Sequence, residues 1–500
     1  MAPVGSSRTF LPLALLAAVL FAGAAGCSSA GGGSIAVQLV YPAPPGTAAP
    51  SVAAPAPGSA MPSATVRAPS YVTHPSDKIR IRVLAPHFSP IQKWFNRSDG
   101  RGEIGGIPPG TRITVEVDEY DNTAIATDNA VISARLLGRG WYNGITLSAG
   151  ETKVVPVPMY ARGTIVTVCG APASGGSGTS GDSGDGGLDN EALLRNPRAV
   201  KAGPDDTIYV STFTTTTGYG RVRKIDRYGY VSHFAGSGPH GSITPGTLAT
   251  ASPIDAVSDI DIDPAGNLYL FNDFNQIIRV DNGVVNKLVY DNGIENSAAR
   301  FNLAVVNVDL VYFVNYLDTR VYRMIGTSKS DFVTDNLPYD TTEPISRFNY
   351  PLRAPSGIAY AAMTDSLVFA DTDNDRIMRV SLADGNIYYL VANAGGTRFS
   401  EGIDPLLMAP IKPRVVDYNP VTGKIFFVEG LSNRVLYIDS ANKVHLLAGT
   451  GTPMFSGDTG PATLAGLNDP RAITVDSRGN AYIADNGNHA IRMVVGGALP

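Results

Sequence analysis

The sequence predicts an all-β chain, with a ring of six four-stranded blades preceded by a small β-sandwich. Three observations carry that prediction. Short runs that alternate apolar and polar residues recur along the chain between Gly-, Asn- and Asp-rich turns, while helical signals are scarce. Beyond residue 190 the runs fall into sets that repeat at a nearly constant interval. Gly 54 and Pro 36 in 500 residues supply the turn chemistry that such a chain needs.

The clearest set lies near the C-terminal end. Segments 472–475, 480–484 and 490–494 alternate, and Asp476-Ser-Arg-Gly-Asn480 and Asp485-Asn-Gly-Asn488 separate them as tight turns. One three-stranded meander cannot bury both of its faces, so copies are required. Aligned on their third strands, six copies begin at Arg221, Ile277, Arg320, Arg376, Arg434 and Ala490, in steps of 56, 43, 56, 58 and 56. A fourth, outer strand follows in five of them, at 231–236, 285–290, 330–333, 387–391 and 444–449. After the sixth copy the sequence stops at Pro500. Segment 164–170 has the pattern of 443–449 and is expected to join the last blade, closing the ring and removing a free sheet edge.

Gly457-Asp-Thr-Gly-Pro-Ala-Thr463, Leu467, Pro470-Arg471, Gly479-Asn-Ala-Tyr-Ile-Ala-Asp485, Asn488-His489 and Ile491-Arg492 together resemble an NHL repeat. Gly184-Asp-Gly-Gly187 with Leu194-Arg-Asn-Pro-Arg198 looks like the same element at the front. The resemblance spans 163–496 and implies a six-bladed NHL-type β-propeller. It is weakest in the second copy, where Val257 replaces the leading proline, and in the third, which lacks the Gly-Asn turn.

Ahead of the ring, Arg8 and an apolar core at 11–21 have signal-peptide dimensions and are too short for a permanent membrane span. Ala24-Ala-Gly-Cys27, followed by Ser28-Ser-Ala-Gly-Gly-Gly, resembles the lipobox of bacterial lipoproteins. That resemblance implies a signal peptide at 1–27, lipidation of Cys27 and a membrane anchor at the cell envelope, periplasmic or on the cell surface. An ordinary cleaved signal peptide is the alternative; both imply export. Residues 28–76 read as a tether and Pro/Ala-rich spacer, with a candidate strand at 35–41 that could pair with the next domain. Residues 77–160 alternate at 78–84, 112–118, 143–147 and 153–157 and are expected to form the sandwich, whose motif order is similar to Ig-like or carboxypeptidase-regulatory-like modules. Trp94 and Trp141, the only tryptophans, fall here and are read as core packing rather than a ligand platform.

Net charge −5, pI 5.7 and the lack of a basic stripe argue against a nucleic-acid partner. Cys27 and Cys169 are the only cysteines, so no disulfide framework exists, and Cys169 is expected to be a buried free thiol. His233 and His445 fall on outer strands, and His489 in a blade turn, where a structural hydrogen bond is expected. His74 and His87 lie outside the ring, leaving His240 as the histidine that could face the channel. No histidine pair has metal-ligand spacing.

Carboxylates offer more. Asp255, Asp259, Asp261 and Asp263 surround the inner strand of blade 2, and Asp417 lies on that of blade 5. In lactonase-type propellers, inner-strand carboxylates bind a divalent cation, so Asp259, Asp261, Asp417 and His240 are the candidate ligand-binding residues. The structural alternative makes Asp263 and Asp476 turn initiators and leaves Asp261 solvated. The loop 181–191 holds Asp182, Asp185, Asp189 and Glu191, oxygen ligands enough for Ca²⁺ but without EF-hand spacing; in NHL repeats such a loop is the inter-blade turn. No nucleophile elbow, phosphate loop or CxxC occurs, and no catalytic residue is assigned.

The expectation is an exported, lipid-anchored, non-enzymatic scaffold, monomeric and without a cofactor. It would recognise an envelope or extracellular protein, peptide or glycan through a propeller face, using loops 457–465, 395–403 and 214–219. The alternative is an extracytoplasmic hydrolase or lyase, lactonase-like, with a divalent cation in the channel.

Overall fold

A computed structural model describes residues 32–40, 78–99, 102–121, 136–170, 180–213, 220–238, 241–291, 301–336, 343–392, 400–408, 411–430 and 432–499. Cys27 with the leader, most of the spacer, His74, His240 and the loop 214–219 lie outside the described residues. Among the described residues every regular element is a strand or a three-residue 3-10 turn. No helix there is long and apolar enough to cross a membrane. The chain divides into two compact units, Met1–Tyr160 and Ala161–Pro500.

The first unit corrects the sandwich expectation. Its strands are β1 (Gly33–Val40), β2 (Lys78–Ala85), β3 (Phe88–Asn96), β4 (Gly102–Ile107), β5 (Arg112–Tyr120), β6 (Leu136–Thr146) and β7 (Thr152–Ala161). They form a single seven-stranded sheet in the order β3-β2-β5-β6-β7-β1-β4. β1 lies between β7, to which it is parallel, and β4, to which it is antiparallel. One core collects Ile35, Ile81, Val83, Ile104, Val115 and Val157, with Phe88 and Phe95 of β3 packed against it. A sheet with one apolar face can bury it by curling on itself. The edge strands accordingly meet: Lys93 Nζ donates to the Glu103 carbonyl at 3.1 Å. A Cβ on Gly102 would stand 2.9 Å from the Phe95 ring. Trp94 and Trp141 are half-buried against Tyr120 and Tyr160, with ring centroids 5.8 and 5.3 Å apart.

The second unit is a ring of six blades, each with four antiparallel strands. From the inside outwards, blade 1 comprises Val200–Ala202, Ile208–Phe213, Gly220–Ile225 and Val231–Ala235. Blade 2 comprises Val257–Ile262, Leu268–Asn272, Gln276–Asp281 and Val284–Asp291. Blade 3 comprises Phe301–Asn307, Leu310–Asn315, Val321–Ile325 and Ser328–Val333. Blade 4 comprises Pro355–Ala361, Ser366–Asp371, Arg376–Ser381 and Asn386–Val391. Blade 5 comprises Pro413–Tyr418, Ile425–Glu429, Arg434–Ile438 and Val444–Ala448. Blade 6 takes Pro470–Val475, Ala481–Asp485 and Ala490–Val494 from the C-terminal end and Ile165–Cys169 from the start of the unit. Pairing the two ends of the unit in one sheet closes the ring.

Local chemistry explains the turns. The link from second to third strand needs a left-handed residue, supplied by Asn275 (φ 59°), Asp375 (56°), Asn433 (47°) and His489 (55°). Turns between other strands are nucleated by Asp side chains. Asp476 Oδ1 accepts from the amides of Arg478 (3.0 Å) and Asn480 (2.8 Å), and Asp263 does the same for Ala265 and Asn267, both at 2.9 Å. Blades pack closely where glycine permits. A Cβ on Gly220 would come within 2.3 Å of Ala256 Cα, and one on Gly357 within 2.7 Å of Val415 Cα.

The long connections cap exposed edges. On its way into a blade, the chain runs back along that blade's outer strand and bonds to it. Gly186 N donates to Val231 O (2.7 Å) and Val231 N to Gly187 O (3.0 Å) in blade 1. The same paired bonds join Gly246 and Thr247 to Val285 in blade 2, Gly402 and Ile403 to Val444 in blade 5, and Thr459 and Gly460 to Ile165 in blade 6. In blade 4 the cap is a short strand, Ile345–Ser346, paired to Asn386–Val391. Each cap occupies the open row of backbone groups that an outermost strand otherwise presents.

Candidate functional site

The inner strand of each blade has no strand beside it on the channel side, so its inward backbone groups need other partners. Side chains of neighbouring blades supply them. Asp259 Oδ2 accepts from Leu303 N at 2.9 Å and Asp261 Oδ2 from Val305 N at 2.7 Å, joining blade 2 to blade 3. Asn302 Oδ1 accepts from Ile358 N at 2.7 Å, and Ser356 Oγ donates to Arg414 O at 2.7 Å. Thr474 Oγ1 accepts from Ala202 N at 3.3 Å. The polar lining of the channel thereby stitches inner strand to inner strand.

Lys201, on the inner strand of blade 1, supplies the charge balance. Its Nζ stands 2.9 Å from Asp261 Oδ1 on blade 2 and 3.2 Å from Asp417 Oδ1 on blade 5. The three side chains retain 24%, 13% and 10% exposure, so the cluster is enclosed but not dry. Burial acts to lower the lysine pKa, but Asp261 and then Asp417 outweigh it and raise the value, so the ammonium stays charged. Burial raises Asp417, with Lys201 opposing. Burial pushes Asp259 up to about 8, against the Leu303 amide bond and with Asp261 adding to the rise. A protonated lysine fixed between two carboxylates is a poor nucleophile and a good structural counter-ion.

Three of the four candidate ligand-binding residues, Asp259, Asp261 and Asp417, therefore lie around one channel cluster; His240 lies outside the described residues. The ammonium of Lys201 spans the gap between Asp261 and Asp417. Among the described residues no three His, Cys, Asp or Glu side chains are grouped so as to hold a metal ion. Lys201 escaped the reading of the sequence because its partner Asp417 is 216 residues away.

The acidic loop of blade 1 is organised by arginine. Arg223, 1% exposed, binds Asp185 Oδ1 through Nε at 2.8 Å and donates to Leu193 O (2.7 Å) and Ser183 O (3.1 Å). Asp182 pairs with Arg195 at 3.1 Å, Asp189 accepts from the Asn190 amide at 2.8 Å, and Glu191 is exposed. Blade 6 repeats the clamp. Arg492, fully buried, contacts Asp458 Oδ1 at 2.7 Å, Asp485 Oδ2 at 3.4 Å, Ser456 O at 3.1 Å and Gly466 O at 3.3 Å. The loop 457–465, expected to contact a ligand, is thus held by the clamp and by its capping bonds. Of 395–403, only 400–403 is described, and it caps blade 5.

Three of the described histidines make structural contacts. His489 Nδ1 accepts from Asn196 N at 3.2 Å, and burial, then Arg195, lowers its pKa. His445 lies between Glu401 (2.5 Å) and Asp439 (2.9 Å) and stacks on Tyr437. His233 Nε2 meets the carbonyls of Ala235 and Gly236. Cys169 is buried, and burial pushes its thiol up to about 12.

The NHL repeat profile matches residues 467–492, the heart of blade 6. No curated protein matches the chain. Similar solved structures include a structural-genomics protein of unknown function from Bacteroides thetaiotaomicron VPI-5482, at 14% identity over 76% of this chain and 94% of that one (TM-score 0.49). An auxiliary nutrient binding protein of the same organism is 14% identical over 83% and 90% (TM-score 0.46). Virginiamycin B lyase from Staphylococcus aureus is 13% identical over 60% and 94% (TM-score 0.36).

Proposed function

We propose that this chain, a six-bladed β-propeller carrying an NHL repeat, is an exported binding scaffold. It is held at the envelope through lipidated Cys27 and recognises a protein or peptide on one propeller face. One observation carries the reading: the channel's polar groups are engaged in stitching the ring, whereas one face presents exposed apolar side chains on the turns of three successive blades. These are Val308 (42% exposed) and Ile325 (54%) on blade 3, Met363 (65%) on blade 4 and Val421 (66%) on blade 5. All four lie where inner strands end and third strands turn, which is the same end of every blade. Met363 and Val421 belong to adjoining turns, since a Cβ on Gly423 would lie 3.8 Å from Met363 Sδ. Apolar exposure of this kind on adjoining turns marks interaction surfaces and favours a protein or peptide over a glycan.

The test is site-specific photo-crosslinking in the native envelope, with the probe at Met363 or Val421 and, as control, at Asp373 on the opposite face. Discrete adducts at the first two positions and none at the third are expected. Equal adducts on both faces, or none at either, would count against the assignment. Loss of acyl-chain incorporation in Cys27→Ser checks the anchor separately.

A further inference from the structure

Among the described residues, blade 3 shows no cap of the kind that blades 1, 2, 4, 5 and 6 receive. The connections leaving blades 1, 3, 4 and 5 are 236–256, 334–354, 392–412 and 449–469, twenty-one residues each; the one from blade 2 into blade 3 is 292–300, nine residues. The connection into blade 3 is thus twelve residues shorter than the others. Part of the blade 3 edge is covered from the other side, because Arg347 Nη1 donates to Phe332 O at 2.9 Å and Thr334 N donates to Arg347 O at 2.8 Å. Among the described residues, nothing pairs with the backbone beyond Ser328–Asp331.

The groups on this edge can be assigned. Third and fourth strands are joined by the two-residue turn Gly326-Thr327, with Gly326 at φ 62° and Ile325 opposite Ser328. In such a hairpin the closing pair is hydrogen-bonded, so Ser328 and Ser330 bond inwards. Lys329 and Asp331 therefore aim their N–H and C=O groups outwards. Their side chains share one face of the strand. Lys329 Nζ lies 4.1 Å from the Tyr322 ring centroid and, among the described residues, has no carboxylate partner; Asp331 meets Arg320 at 2.5 Å at an exposed site.

This edge is complementary to itself. Placed antiparallel to a second copy about a two-fold axis at Ser330, Lys329 faces Asp331 of the copy and Asp331 faces its Lys329. The same register makes both of those pairs the hydrogen-bonded kind, giving four backbone bonds and two opposed charge pairs. We propose that the outer edge of blade 3 is a homodimerisation site, in which two chains pair through Ser328–Asp331. The pairing seals this edge and departs from the monomer expected from the sequence. A two-fold pairing is closed, so it ends at two chains rather than building a fibre.

Sedimentation of the full-length chain over a range of concentrations, at low and high salt, tests this. A concentration-dependent dimer, weakened by salt, is expected. Lys329→Asp sets Asp against Asp twice, and Asp331→Lys sets Lys against Lys twice. Each should weaken association about tenfold or more. The double variant Lys329→Asp/Asp331→Lys restores opposed charges and should restore the dimer. Melting curves verify that all variants fold. A monomer at every concentration would overturn the proposal, as would a dimer indifferent to the single reversals or one that the double reversal fails to rescue.

Discussion

Replacing Lys201 with methionine keeps the length and the apolar stem of the side chain and removes only the ammonium. Asp261 and Asp417 would then face each other across an enclosed channel, each having lost its cation. Removing one member of a buried ion pair costs about 3–5 kcal/mol, because the remaining charge keeps its desolvation penalty without compensation. The 24% exposure of the lysine places this site at the lower end, near 3 kcal/mol. With an unfolding entropy of about 0.7 kcal/mol per kelvin for a ring of this length, the melting temperature should fall by about 4 °C. The loss should be largest at pH 8 and shrink towards pH 5, since burial already raises Asp417 and a proton can take the place of the missing cation. Calorimetry of Lys201→Met, Asp417→Asn and the double variant forms a cycle. Asp417→Asn should rescue much of the lysine deletion, with a coupling of about 1–2 kcal/mol. A melting temperature unchanged at pH 8, or a cycle with no coupling, would refute the view that this lysine balances the channel.

Three further outcomes follow from the same geometry. Asp259 has a folded value of about 8 against an unfolded value near 3.9, so the stability it contributes is full below about pH 4 and is lost as pH rises through 8. Asp259→Asn keeps an acceptor for Leu303 N and escapes that loss; its melting advantage over the parent should grow from pH 5 to pH 9, and parallel profiles would contradict the assignment. Arg492→Met strips the blade 6 clamp from Asp485 and Asp458 and should cost about 3–5 kcal/mol, with new proteolytic cleavage inside 453–466; protection of that loop would show that the clamp is dispensable. Cys169, buried and with its thiol pushed up to about 12, should resist alkylation at pH 8 in the native chain and react fully in denaturant, as read by mass mapping of its peptide.

Why some of this was legible and some was not follows from the range of each interaction. Strand alternation and turn chemistry are local, so segments such as 480–484 and the Asp476 turn identify blades residue by residue. The first unit was misread where locality fails. β3, Phe88-Ser-Pro-Ile-Gln-Lys-Trp-Phe-Asn96, does not alternate cleanly, and β4, Gly102-Glu-Ile-Gly-Gly-Ile107, has the composition of a turn. Without those two strands the remaining alternation fits a sandwich as well as one curled sheet. Asp259, Asp261 and Asp417 could be picked out as unusual on inner strands, but their partners, Leu303 N, Val305 N and Lys201, come from other blades. Likewise the oxygens of 181–191 suggested a cation, and the cation that meets Asp185 is the guanidinium of Arg223, carried on a strand 38 residues later.

One signal was visible from the start without its meaning being apparent. Five of the six blades obey a shared rule in which the chain entering a blade first seals that blade's outer edge. The rule sets the repeat length, since a four-stranded meander with tight turns needs far fewer than 56 residues. The single step of 43, between Ile277 and Arg320, is then more than degeneracy of a weak copy. It shortens the connection and leaves the strands intact, and the outer strand of that blade carries Lys329 and Asp331 around a central serine. An edge left open to solvent is an association hazard that sequences blunt with charge. Like charges here would repel every second copy, whereas a lysine and an aspartate two residues apart admit one antiparallel register and penalise a slipped one. Loop length and charge order, read together, make the open edge of blade 3 a selective contact.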